Sequence, residues 1–217
     1  MRIGFITGME EEAAALRPDD ARPDPASPLY LRRADGWAVA CGGIGKVNAA
    51  MAAQRLIDDG ADLLVSLGVA GRIDGKDASG AHWITHAVQH DYGAERADGF
   101  APFPPGALPF GEPKIEALAA IGDPGLNLPR ARIASGDRFI AFGAAGLAAR
   151  FDAQLVDMET AAIAQVAARH GLGWAGIRAV SDAADDASPA AFERGFRQAR
   201  EAAAHAADRL IALYAAT

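Results

Sequence analysis

Short apolar runs that alternate with alanine-rich amphipathic stretches constrain this chain more than any other feature of its sequence. The run IGFIT (3–7) reads as a buried strand, followed by Gly8 and a helix from about Met9. WAVACGGIG (37–45) reads as a second strand ending in glycines, and KVNAAMAAQRLIDDG (46–60) as a helix. Within it Val47, Ala50, Met51 and Gln54 fall at i, i+3, i+4 and i+7, close to one face. ADLLVSLGVAG (61–71) is the most strand-like run, apolar from Leu63 to Leu67 except for Ser66. Further strands are expected in HWITHAVQHD (82–91), ARIASGDRFI (131–140), AQLVDMET (153–160) and WAGIRAV (174–180). Helices are expected to end at Gly171 and to begin at about Pro189. This is the βα rhythm of an α/β domain. With 217 residues, no repeat and no linker, one domain over 1–217 is expected.

Hydrophobic residues make up 51% of the chain, enough to fill such a core. No run approaches the ~18 apolar residues of a membrane helix, and MRIGFITGMEEE has the wrong charge order for a secretory signal. Cys41 is the only cysteine, so no intrachain disulfide can form, and the expected location is the cytoplasm. Cys41 itself reads as a small buried residue at a strand end. The net charge of −7 and the absence of any Lys/Arg-rich block argue against nucleic acid as a partner.

Four polar or glycine-rich segments sit where apolar strands run out: GMEEE (8–12), GVAGRID (68–74), VDMET (156–160) and VSDAAD (180–185). Open α/β sheets bind ligands outside the carboxyl ends of their strands, so these segments point to a small-molecule site. CGGIGKVN (41–48) is neither a P-loop nor a dinucleotide fingerprint. Val47 follows the lysine where Ser or Thr is needed, and Asn48 stands where a third glycine is needed. His82, His86 and His90 have a spacing that would align metal ligands on a helix, but on a strand they merely share a face with Ile84 and Val88. No metal or other cofactor is expected. Glu10, Glu11 and Glu12 occupy a first helical turn, where the helix dipole favours acids without choosing among them. Asp182 and Asp185 read equally as solvated residues before a last helix. Arg178 interrupts an apolar strand, and a buried cation needs a partner.

Taken together, IGFITGMEEEAAAL (3–16), GGIGKVNAA (42–50), VSLGVAG (65–71), SGDRFI (135–140), VDMETAAIA (156–164) and IRAVSDAAD (177–185) resemble the 5′-methylthioadenosine/S-adenosylhomocysteine nucleosidases of the purine nucleoside phosphorylase superfamily. The resemblance runs from residue 1 to the last helix. It implies a three-layer αβα sandwich around a mixed sheet, a homodimer, and hydrolysis of the N-glycosidic bond of 5′-modified adenine nucleosides. By position, Asp182 would protonate the departing adenine at N7 with help from Ser181, and Glu12 would activate the attacking water. Glu159, Met158 and Arg178 would bind the ribose hydroxyls. Phe139 would stack on the adenine, the Ile140 backbone would read its edge, and Ala70 and Gly71 would line base and sugar. Met9, Ile44 and Phe192 would form the apolar slot for the alkylthio group.

Two residues depart from the family pattern. Val69 stands where a serine is common, and Asp157 where a glutamate is usual. Both bring the chain closer to the hopanoid-associated enzymes that act on adenosylhopane. A phosphate-dependent phosphorylase is a further alternative, kept open by Arg72, although Glu12 would repel phosphate. The Pro/Gly-rich loop 92–113 carries Phe100, Phe103 and Phe110, of which at least one is expected to act as a hydrophobic lid.

Overall fold

A computed structural model describes residues 1–17, 19–76, 79–182, 184 and 189–215, with backbone alone for 189–192. The strands are β1 (Ile3–Thr7), β2 (Arg22–Pro23), β3 (Tyr30–Ala34), β4 (Trp37–Cys41), β5 (Leu63–Arg72), β6 (Ala81–Gln89), β7 (Gly93–Arg96), β8 (Gly99–Pro102), β9 (Leu118–Ala119), β10 (Arg130–Ser135), β11 (Leu155–Asp157) and β12 (Gly173–Asp182). The helices are α1 (Glu10–Ala15), α2 (Lys46–Asp58), α3 (Ala144–Phe151), α4 (Thr160–His170) and α5 (Pro189–Ala215).

A mixed ten-stranded sheet runs in the order β11-β10-β6-β12-β5-β1-β4-β3-β2, with β9 added beside β6. β1 lies parallel between β4 and β5, and β5 parallel to β12. β12 is antiparallel to β6, which is parallel to β10. β11 also pairs antiparallel with β5 through Val156 and Gly71, so five strands close on themselves. That closure brings the ends of β5, β11 and β12 together, where three of the four polar segments lie.

Helices cover both faces. On one, Ala49, Ala52, Ala53 and Leu56 of α2 and Ile163, Ala164 and Ala167 of α4 pack on Ile6, Leu64 and Trp174. On the other, Ala13 of α1 and Ala199, Ala203, Ala206 and Leu210 of α5 pack on Phe5, Val65, Leu67 and Ile177. Successive strand residues reach opposite helical layers, because side chains alternate across a strand. Strands buried on both sides read as continuous apolar runs for the same reason.

The face of α2 picked out by Val47, Ala50, Met51 and Gln54 is the outer one. Val47 is 78% exposed and Met51 48%, while the alanine face with Leu56 is buried. Small side chains let α2 approach the sheet and α4 closely, leaving the larger apolar residues outside. The loop after β6 packs through Phe100 on Val88, Ala134 and Val156. It folds into a separate hairpin, β7 with β8, where Phe103 is buried and Phe110 is exposed. Among the described residues no helix is long and apolar enough to cross a membrane.

Candidate active site

Of the three glutamates in α1, only Glu12 turns inward; Glu10 and Glu11 are exposed. Glu12 is 3% exposed, and its Oε2 accepts the amides of Gly8 (3.1 Å) and Met9 (3.0 Å). Its Oε1 accepts the Val69 amide at 2.9 Å. A carboxylate offers about four acceptor positions, so three amides leave one free, on Oε1 beside Val69. Burial pushes the Glu12 carboxyl above its ordinary value, against the opposing Arg178 charge and the three amides. Gly68 makes this packing possible. Its φ is +150°, and a Cβ there would lie 2.8 Å from Glu12 Cδ and 2.9 Å from Arg178 Nη1.

Arg178 lies in the middle of β12, 1% exposed. Its Nη2 lies 2.8 Å from Asp157 Oδ2 and 3.3 Å from Glu159 Oε2, and donates to Ser66 Oγ at 2.7 Å. Its Nε donates to Thr160 Oγ1 at 3.1 Å and its Nη1 to Val69 O at 3.1 Å. Asp157 in turn accepts the Ser135 hydroxyl, the Thr160 hydroxyl (2.5 Å) and the Thr160 amide (3.0 Å). It therefore caps the start of α4 and neutralises Arg178 at once. Glu159 has a lighter load, accepting the Gly45 amide at 3.1 Å besides the longer contact to Arg178. Burial first, and the Asp157 and Glu12 charges further, raise its carboxyl to about 7 in spite of Arg178.

At the end of β12 the pairing with β5 shifts register between Val180 and Asp182. Such irregularities re-aim side chains, and here Ser181 and Asp182 both face the space between the strands. The Ser181 hydroxyl donates to Asp182 Oδ2 at 2.6 Å, and the Ala184 amide to Oδ1 at 2.8 Å.

These groups line one cleft of about 130 Å³, partly open to solvent. Glu12, Glu159, Asp182, Met9, Ile44, Val69, Ala70, Gly71, Phe139, Ile140, Asp157, Met158, Arg178 and Ser181 all line it. Phe192 and Asp185 lie outside the residues whose side chains are described. The cleft also takes in Gly8, Arg138, Val156 and Ala184, none of which the sequence singled out. Phe100, Phe103 and Phe110 do not line it, so the lid expected from them is not seen.

Arg72 is also elsewhere. It pairs with Asp74 at 2.5 and 2.8 Å, donates toward His82 Nε2 at 3.4 Å, and lines a neighbouring hollow that shares Ser181 and Asp182 with the cleft. His82 gives its Nδ1 hydrogen to Gly80 O, and burial lowers its pKa. Among the described residues no group of three His, Cys, Asp or Glu is placed to hold a metal ion.

A model of the phosphorylase superfamily matches residues 2–212. The 5′-methylthioadenosine/S-adenosylhomocysteine nucleosidase of Helicobacter pylori has a TM-score of 0.81 at 23% identity, with 97% of each chain covered. The futalosine hydrolase of Helicobacter pylori strain 26695 also has a TM-score of 0.81, at 22% identity over 96% of each chain. The nucleosidase of Colwellia psychrerythraea 34H, solved in complex with adenine, has a TM-score of 0.79 at 27% identity, covering 98% of this chain and 95% of that one.

Proposed function

Because this chain belongs to the phosphorylase superfamily, we propose that it hydrolyses the N-glycosidic bond of 5′-methylthioadenosine and S-adenosylhomocysteine, releasing adenine and the 5-thio-substituted ribose. The observation that carries the reading is a single cleft lined by Glu12, Glu159 and Asp182, with Glu12 fixed by three backbone amides. Breaking the C1′–N9 bond builds positive charge on the sugar and negative charge on the base. A carboxylate near the sugar and an acid near the base stabilise these charges separately, as carboxylate pairs do in glycosidases.

In the proposed reaction water occupies the free position on Glu12 Oε1 and attacks C1′, its proton passing to Glu12. The C1′–N9 electron pair leaves with adenine, which takes a proton at N7 from Asp182, held in place by Ser181. Glu159 accepts ribose hydroxyls, with Met158 against the sugar, while Phe139 stacks on the base and Ile140 reads its edge. Met9 and Ile44 form the apolar slot for the 5′ group. Water is favoured over phosphate because Arg178 is already neutralised by Asp157 and Glu159, and Arg72 is committed to Asp74. No cofactor enters this scheme.

The chain acts in the cytoplasm as a homodimer in this reading. The exposed stripe of Ile44, Val47 and Met51 beside the cleft mouth supports a second copy seated there. A second reading keeps the hydrolysis and changes the 5′ group. Val69 in the cleft wall removes a hydroxyl that the family commonly offers, which suits a bulkier apolar group such as that of adenosylhopane, and the likeness to a futalosine hydrolase widens the range.

The test is release of the free base, adenine from methylthioadenosine, S-adenosylhomocysteine and adenosine and hypoxanthine from futalosine, each with and without phosphate. Phosphate-independent release from the thio-substituted pair is expected. Release only with phosphate would overturn hydrolysis, and release only from another nucleoside would overturn the 5′ assignment.

A further inference from the structure

We propose that Lys46, Asp91 and Asp137 form a clasp that holds the base-facing loop 138–140 against the sugar-facing turn 43–45, with Asp91 as its positioning residue. The inference rests on the site assignment above but concerns residues that do not line the cleft.

Two walls of the cleft come from segments far apart in sequence. Ile44 belongs to the turn before α2, and Arg138, Phe139 and Ile140 to the loop after β10. Behind them three polar residues connect the two. Lys46 Nζ lies 2.6 Å from Asp91 Oδ1 and donates to Gln89 Oε1 at 3.2 Å. The other Asp91 oxygen accepts the Asp137 amide at 2.7 Å. Asp137 Oδ1 then accepts the Lys46 amide at 2.7 Å, closing the circuit. One residue before Lys46, the Gly45 amide donates to Glu159. The path therefore runs from the ribose carboxylate, through the first residues of α2, to the loop that carries Phe139.

The clasp is largely shielded from water. The side chains of Lys46 and Asp91 are 17% and 14% exposed, so their pairing is weakly screened. The Lys46–Asp137 contact of 3.8 Å is more open and adds little. Burial acts to raise the Asp91 carboxyl, yet the hydrogen bonds from Lys46 and the Asp137 amide hold it below its ordinary value. The loop also has a rigid seat. Gly136 lies on the imidazole of buried His90, where a Cβ would come within 2.8 Å of Asp91 Cγ, and its amide donates to Asp157 O at 3.2 Å. A side chain at position 136 would have no room there, and the residue that follows is tied to Asp91 and to the Lys46 amide.

The clasp is tested with Asp91→Asn, and with Asp91→Glu as the charge-conserving partner. In ligand-free protein, amide hydrogen exchange at Gly45 and Lys46 is expected to quicken about 10-fold in Asp91→Asn, although neither amide bonds to Asp91. Amides within β6 and β10 should keep their rates. With an adenine nucleoside as substrate, KM should rise about 10-fold while kcat stays within about threefold, and Asp91→Glu should recover part of the loss. Unchanged exchange at Gly45 and Lys46, or equal quickening throughout β6 and β10, would overturn the proposal. The exchange needs no ligand, so wild-type protein that released adenine from no nucleoside would defeat the function above while the clasp was still judged.

Discussion

Asp157 approaches Arg178 at 2.8 Å, closer than Glu159 does at 3.3 Å, so the residue that departs from the family pattern is the main counterion of the buried guanidinium. Its neighbour is left freer to meet a substrate. In Asp157→Asn the charge that helps raise Glu159 is lost, and Arg178 turns more fully to Glu159; both effects lower the Glu159 carboxyl from about 7. The acid limb of the kcat/KM profile should therefore move to lower pH, at a stability cost of about 1–3 kcal/mol. A profile that keeps its acid limb while stability falls would separate Asp157 from Glu159.

Glu12 is fixed by donors on both oxygens, and this makes Glu12→Gln an uncomfortable substitution. Its NH₂ must face either the Val69 amide or the Gly8 and Met9 amides. A fall in kcat of about 10²–10⁴ is expected from the lost base, together with about 1–3 kcal/mol of stability. Adenine affinity, measured by calorimetry, should stay within about threefold because Glu12 is assigned to the water. A large loss of adenine affinity with kcat intact would reassign it to the base.

Gly68→Ala places a methyl group against Glu12 and Arg178, both buried, at a φ of +150°. A destabilisation of about 2–4 kcal/mol follows from the strain and the crowding. A thermal midpoint within a degree or two of wild type would mean that the carboxylate and guanidinium have room to separate.

The site was more legible in the sequence than the sheet that carries it. Glu12, Glu159 and Asp182 stand where apolar runs stop, and a strand end is visible without knowing its neighbours. The contacts that hold them are not visible, because Ser135, Thr160 and Ser66 meet Asp157 and Arg178 only through the closure of β11 on β5 and β10. Ser66, the one polar residue in an apolar strand, was the available hint. The β2–β3 edge was missed because YLRRA lacks an apolar alternation: Arg32 is buried and spends its guanidinium on the carbonyls of Ala13, Leu16, Arg17 and Ala21. Helix α3 was missed because its eight residues sit among glycines, with only Phe151 buried. The outward face of α2 inverted the usual reading, since alanine rather than valine or methionine faces the sheet.

Arg72 tests water against phosphate from the other side. It pairs with Asp74 and leaves the cleft lining alone, so Arg72→Ala should keep adenine release within about threefold, with or without phosphate. A variant that loses only phosphate-stimulated turnover would give Arg72 a place at the nucleophile.

The carboxyl of Glu159 sets a demand of substrate binding against one of stability. Its folded value, about 7, lies above the ordinary 4.5, mainly through burial. Between these values the folded chain holds a proton that the unfolded chain has released, so this group's contribution is full below about 4.5 and lost as pH rises through 7. Glu159→Gln removes the titration, and Arg178 keeps its nearer partner Asp157, so the variant should fold. Compared by urea unfolding from pH 4.5 to 8, Glu159→Gln should gain on the wild type as pH rises, by up to about 3 kcal/mol, and level off above 7. Over the same range wild-type turnover should increase, because ionised Glu159 is the form that accepts ribose hydroxyls. Parallel stability curves would mean that Glu159 ionises as readily in the fold as outside it, and would remove burial as the source of the acid limb.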